Sequence, residues 1–354
     1  MAQRPAEAAP PSRRSSGAAK GRVAISRSPP RGLHGNYAAI DLGTNNCRLL
    51  IARPARQGFV VVDSFSRIVR LGEGLAASGS LSDAAMDRAL DALAVCADKL
   101  RRRNVTLVRS VATEACRRAA NGRDFVARVY RETGIALEII STEQEARLAM
   151  AGCHALLEPG ANPALIFDIG GGSTELVILD GQGADEAPRI ADWTSIPWGV
   201  VSLTESGPVH HDDIADRLAA YDLMRARVTE ALAPFAARLR LPEDGGRLLG
   251  TSGTVTTLGS VHLGLLRYDR RAVDGLVVPT PAMRAISQRL AALSVAERAQ
   301  ISSIGNERAD LVVAGCAILE AILDIWPSER LSVADRGIRE GILRSLMARD
   351  GHQW

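Results

Sequence analysis

The chain has 354 residues, 46% of them hydrophobic and 23% charged, with a net charge of +3. That length suits about two domains with buried cores, and no stretch approaches the roughly eighteen consecutive apolar residues of a membrane-spanning helix. Aromatic residues make up only 4% and none interleaves with a basic cluster, so neither a membrane nor a specific nucleic acid is expected as a partner.

The charge is unevenly placed. The first 35 residues hold seven basic residues (Arg4, Arg13, Arg14, Lys20, Arg22, Arg27, Arg31) against one acid, Glu7, a net of +6 that leaves the rest at −3. Rich in Pro, Ser, Gly and Ala, residues 1–35 offer no apolar face to bury. They read as a disordered basic tail, a solvated arm or a weak electrostatic contact for polyanions. The tail lacks the apolar segment of a secretory signal, so a cytoplasmic location is expected. Five cysteines, Cys47, Cys96, Cys116, Cys153 and Cys316, have no close spacing; they fit neither a zinc motif nor a disulfide framework and predict reduced, mostly buried thiols.

Order is expected from Asn36. The run from Tyr37 to Asn46 reads as a strand, then Asp41, then a small-residue turn through Gly43-Thr44-Asn45-Asn46, followed by further strands over 47–52 and 59–64, a three-stranded meander. Leu81-Ser82-Asp83 opens a helix that closes on Arg101-Arg102-Arg103, where cations suit the C-terminal end of the dipole. A strand over 105–112 leads to Arg117, Asn121 is placed to cap the next helix, and 135–140 is a strand. Ser141 or Thr142 then starts a helix carrying Glu143, Glu145 and Arg147 in its first turns. Further on, a long helix is expected over 211–239, a short buried strand over 247–250, a helix over 306–325, a strand over 331–335 and an amphipathic segment over 338–347. His154 and the adjacent His210-His211 have no partner at metal-ligand spacing and read as surface or helix-start residues.

The most informative stretch is Asp168-Ile169-Gly170-Gly171-Gly172-Ser173-Thr174-Glu175, set between two apolar runs. A strand, a turn stripped of side chains and a second strand expose backbone N–H groups as a nest for anions, and glycine lets a phosphate approach closely. An Asp at the strand end suits Mg²⁺, which prefers carboxylate plus phosphate oxygens. Asp41 and its turn repeat this pattern 127 residues earlier. The repeat predicts an internal duplication, two mixed sheets flanked by helices with a cleft between them.

These segments resemble the exopolyphosphatase/guanosine pentaphosphate phosphohydrolase family, within the superfamily of actin, sugar kinases and chaperone ATPases. The resemblance rests on residues 39–46, 112–121, 140–147, 168–175, 197–205, 250–254 and 335–341, in family order. It implies an α/β fold of two actin-like, ribonuclease H-like lobes: residues 36–148, with a C-terminal helix over 337–354 packing back on them, and residues 149–336. It also implies Mg²⁺-dependent removal of a terminal phosphate from polyphosphate or guanosine pentaphosphate. Asp41 and Asp168 match the metal-associated acids, Glu145 the general base, Glu175 a second acid near the attacking water, and Arg117 a phosphate-contacting arginine. Gly43, Thr44 and Asn45, with Gly170, Gly171, Gly172, Ser173 and Thr174, match the phosphate-cradling loops, and Ser252 and Gly253 join that set. The first turn departs from the commoner Gly-Ser-Asn-Ser in having Asn46. Longer members continue into a helical domain that helps bind long polyphosphate, so processive degradation of very long chains is not expected here. A homodimer is a possible assembly.

Hydrolysis of a phosphoanhydride needs charge neutralisation at the transferring group, an oriented water and an acceptor for its proton. Two other functions use the same turns: an ATP-dependent kinase or ATPase with an adenosine pocket around Gly250 to Thr254, and a non-catalytic alarmone sensor that needs no base.

Overall fold

The computed structural model describes residues 35–352 apart from 57, 182–187, 208–212 and 243–244. The basic tail up to residue 34 and the His210-His211 pair lie outside the described residues. The meander is β1 (Asn36–Leu42), β2 (Asn46–Pro54) and β3 (Phe59–Ile68), extended by β4 (Val105–Ala112) and β5 (Leu137–Ile139) into a sheet of order β3-β2-β1-β4-β5. Strands β1, β3, β4 and β5 run in one direction, and β2 runs antiparallel between β3 and β1.

The second sheet repeats this order. It is built from β6 (Ala164–Ile169), β7 (Thr174–Leu179), β8 (Ile190–Ile196), β9 (Arg247–Thr251), β10 (Val277–Pro279) and β11 (Arg330–Ala334), in the order β10-β11-β9-β6-β7-β8. Strands β8-β7-β6-β9-β11 reproduce β3-β2-β1-β4-β5 in both order and direction, with β10 added antiparallel at the edge. The duplication read from two turns is thus a duplication of whole sheets.

Strand alternation decides where the two aspartates point. Successive side chains of a strand face opposite ways. In β1, Ala38, Ile40 and Leu42 enter the core beneath the helix Asp83–Arg102, while Tyr37 and Ala39 face the helices Thr142–Cys153 and Ile338–Arg349. In β6, Leu165, Phe167 and Ile169 face the helices Ile214–Ala236 and Val312–Ile325, and Ala164 and Ile166 face the helix Thr142–Cys153. Asp41 shares its face with Tyr37 and Ala39, and Asp168 with Ala164 and Ile166. Both carboxylates are therefore turned towards the layer of helices between the sheets.

Those two inner helices cross closely because glycine stands at their contact. A Cβ at Gly152 would lie 2.0 Å from the Gly337 carbonyl oxygen, and one at Gly341 would lie 2.0 Å from that of Leu148. The helix Ile338–Arg349 packs on the first sheet through Ile338, Ile342, Leu343 and Met347. The helix Thr142–Cys153 contributes Leu148 and Ala149 to that core and Ala146 and Cys153 to the second. The expected boundary at 148/149 falls inside this shared helix. All five cysteines are buried and unbridged, and no helix among the described residues is long and apolar enough to cross a membrane.

Several local expectations shift. Asn121 sits at the N-cap of the helix Gly122–Thr133 but makes no side-chain cap. Its amide instead accepts from the Leu81 N–H and donates to the Leu81 carbonyl, both at 2.9 Å, fastening a neighbouring loop. The helix expected from 306 begins at Val312, and Gly305, at φ 65°, lies in the turns that precede it. His154 lies at the end of its helix, its ring Nδ1 3.1 Å from the Met150 carbonyl.

Candidate active site

The two turns have the same local hydrogen bond. The Gly43 N–H donates to the Asn46 carbonyl at 2.9 Å, and the Gly170 N–H donates to the Ser173 carbonyl at 2.9 Å. Behind the glycine turn, the first turn of the short helix Val200–Thr204 uses its unpaired amides on the turn's carbonyls: Val200 donates to Gly170 (3.0 Å) and Val201 to Gly171 (2.8 Å). The Ser202 hydroxyl donates to Gly172 at 3.0 Å. A trans peptide sets its N–H opposite its carbonyl. Anchoring these three carbonyls to the helix therefore turns the N–H groups of Gly171, Gly172 and Ser173 the other way.

The turns of the two lobes meet. A Cβ at Gly171 would lie 2.9 Å from Thr44 Cβ and 3.0 Å from the Asn45 nitrogen. Around them is a cavity of about 120 Å³, lined by both turns together with Asp41, Asp168, Glu145, Glu175, Ser252 and Gly253. Thr174 is buried beside the cavity, and its hydroxyl donates to the Trp198 carbonyl at 2.7 Å. Thr44 Oγ1 and Asn45 Oδ1 are buried without a hydrogen-bond partner among the described residues. Such groups cost roughly 1–3 kcal/mol each unless a ligand or water satisfies them. Ser252 adopts φ 123°, ψ 174° at the start of the helix Gly253–His262, a backbone region otherwise almost confined to glycine.

The acids are strongly perturbed. Burial pushes Asp168 up to about 6, with Asp41 adding to the rise and Arg48 opposing it. Burial also raises Asp41, against the pull of Arg48 and Arg339. Burial and then Asp168 hold Glu175 at about 7, although Ser173 and Ser195 favour its charged form. Both of those hydroxyls donate to Glu175 Oε1, each at 2.8 Å. Glu145 is raised by burial and then by Glu175, with Arg117 opposing. Paired buried carboxylates of this kind cluster at functional sites.

Arg117 takes a different place from the others. Its guanidinium is held by Glu114, Glu145 and the Ile140 carbonyl, and it stands behind the cavity wall. The structure adds Arg48, Arg308, Glu114 and Ser195 to the residues read from sequence. Arg48 faces Asp41 across β1 and β2 just as Glu175 faces Asp168 across β6 and β7. The duplication marks that position, 127 residues before Glu175. Arg308, 2.7 Å from the Thr257 hydroxyl, lies in the turns where a helix was expected.

A sequence profile of the Ppx/GppA phosphatase family matches residues 50–350. The chain belongs to the Ppx/GppA phosphatase family. Solved structures agree along nearly the whole fold. An exopolyphosphatase-like protein is 28% identical, with 89% of this chain and 99% of that one covered at a TM-score of 0.78. The Aquifex aeolicus member of the family is 29% identical, with 90% and 99% covered at 0.72. An exopolyphosphatase from Cytophaga hutchinsonii is 27% identical, with 90% and 99% covered at 0.76. The two-lobed actin-like architecture is therefore that of the family.

Proposed function

We propose that this protein removes the terminal phosphate from inorganic polyphosphate or guanosine pentaphosphate by attack of an oriented water, with Glu145 as base. The observation that carries the reading is the meeting of two anion-cradling turns with two buried, elevated glutamates in one cavity. A kinase or a passive sensor uses the turns but has no need of the glutamate pair.

Glu145 bonds Arg117 through Oε2 (3.0 Å) and lines the cavity. Oε1 has no protein partner among the described residues and is the atom that accepts the water's proton. Glu175, clamped through Oε1 by two serines, orients the same water with its other oxygen. A carboxyl raised towards neutral pH is a better base than an ordinary one once it is ionised. The N–H groups of the glycine turn and the guanidinium groups of Arg48 and Arg308 stabilise charge on the phosphates. Arg117 acts on Glu145 in this arrangement.

Asp41 and Asp168 fit Mg²⁺. They are half-buried and face one cavity, Asp41 raises the protonation of Asp168, and an all-oxygen donor set suits this hard cation. Among the described residues no group of three His, Cys, Asp or Glu could hold a metal alone, in keeping with an ion that takes its remaining ligands from phosphate and water. Bound there, Mg²⁺ neutralises charge on the phosphate oxygens. The test is phosphate release from short polyphosphate and guanosine pentaphosphate with Mg²⁺, for the wild type and Glu145→Gln. Loss of turnover with substrate affinity retained supports the reading; unchanged turnover removes Glu145 from its role.

A further inference from the structure

Glu114 lies in the segment 112–121 with no role assigned to it from sequence, yet it stands at the junction of three functional parts. Arg117 donates to Glu114 Oε2 from both Nε (3.1 Å) and Nη2 (2.7 Å). Its Nη1 donates to the Ile140 carbonyl (2.8 Å) and to Glu145 Oε2 (3.0 Å). Glu114 and Glu145 line the cavity, whereas Arg117 lies behind them. The stem of Glu114 also packs on the glycine turn of the other lobe: a Cβ at Gly172 would lie 2.8 Å from Glu114 Cγ and 3.2 Å from its Cβ.

We propose that Glu114 is a positioning residue which, by occupying one edge of the Arg117 guanidinium, leaves Glu145 with a single arginine contact and an oxygen open to the attacking water. The inference rests on the role of Glu145 proposed above. A guanidinium prefers to meet a carboxylate through two parallel N–H···O bonds. If Arg117 were released from Glu114, its fork would close on both oxygens of Glu145 and occupy the one needed for water. Glu114 prevents this by taking Nε and Nη2, and the Ile140 carbonyl fixes the remaining edge. The charges that face Glu145 are Arg117 on one side, Glu175 from β7 and Asp41 from β1; Glu114 reaches it through Arg117. Because Glu114 rests on the glycine turn, closure of the lobes also holds the clamp in place.

The test combines a double-mutant cycle with a crystal structure, using the full chain. Glu114→Gln is expected to lower kcat by about ten- to a hundredfold with KM within about threefold, the pattern of a lost transition-state arrangement rather than lost substrate binding. In an Arg117→Lys background, which has no fork to redirect, the same change is expected to cost less than about twofold, so the two effects do not multiply. The crystal structure of Glu114→Gln is expected to show Arg117 on both oxygens of Glu145. Multiplying effects, a rise in KM in place of the fall in kcat, or an Arg117 that keeps its single contact with Glu145 would each overturn the proposal. If the wild type releases no phosphate from any substrate, the functional reading fails while the crystal structure still decides the clamp.

Discussion

Gly171→Ala tests whether the two turns work in contact. The added methyl would sit 2.9 Å from Thr44 Cβ, 3.0 Å from the Asn45 nitrogen and 3.2 Å from Asn45 Cβ. The first is roughly 0.6 Å inside the ~3.5 Å at which carbon contacts become favourable. One of the three neighbours is a backbone nitrogen and the other two are Cβ atoms, so no side-chain rotation can move any of them away. Relief therefore comes from drawing the lobes apart. Overpacking of this size costs about 1–3 kcal/mol. Charged to closure, at 1.4 kcal/mol per tenfold, it predicts a fall in kcat/KM of about 5- to 150-fold. Phosphate release measures the fall and thermal melting checks the fold, which should be little changed because the clash lies between lobes and not within a core. Activity within about twofold of wild type would show that the turns do not meet in the working state. A steep loss of melting temperature would place the contact in the folding core instead. Gly172→Ala should be milder, since its nearest neighbours are Thr44 Oγ1 at 2.7 Å and Glu114 Cγ at 2.8 Å, parts of side chains that can turn.

Glu145→Gln should lower kcat by about 10²–10⁴-fold, the usual contribution of a positioned base, while equilibrium binding of the substrate is kept; loss of binding instead would mark Glu145 as a ligand contact. Glu175, at about 7 against an ordinary 4.5, loses its proton later in the folded protein than in the unfolded chain. Stability present below about pH 4.5 is therefore lost as the pH rises towards 7, by roughly 3 kcal/mol for this group alone. The melting temperature of Glu175→Gln should accordingly gain on wild type between pH 5 and 7 and hold its lead above that; a constant difference would contradict the assignment. Ser195→Ala removes one of two hydroxyls favouring ionised Glu175, so the acid limb of kcat/KM should move to higher pH, with activity recovered in alkaline buffer. Mg²⁺ should raise the melting temperature of wild type and leave Asp168→Ala unmoved, because two half-buried neighbouring carboxylates gain most from a cation.

The site was legible where chemistry and local pattern coincide. An Asp at a strand end followed by glycines signals both a turn and a phosphate, and its repetition 127 residues apart signals two lobes. The capping box at Ser141 and Gln144, which starts the helix bearing Glu145, is equally local. What escaped depends on distant partners. Asn121 has the right residue type and position for a cap, yet its amide finds the backbone of Leu81, 40 residues away. Strand β8, at the sheet edge, shows little alternation of apolar and polar residues, although it brings Ser195 onto Glu175. Arg308 sits in irregular turns before a strongly apolar helix, where periodicity extends the helix too far. Glu114 was in plain view beside Arg117, but only the fold shows that the two acids share one guanidinium.

The most direct test of the account is phosphate release, with Mg²⁺, from short polyphosphate, long polyphosphate, guanosine pentaphosphate and ATP measured side by side. The account predicts release of the terminal phosphate from polyphosphate or guanosine pentaphosphate, abolished by Glu145→Gln. Consumption of ATP with both of those substrates untouched would contradict it.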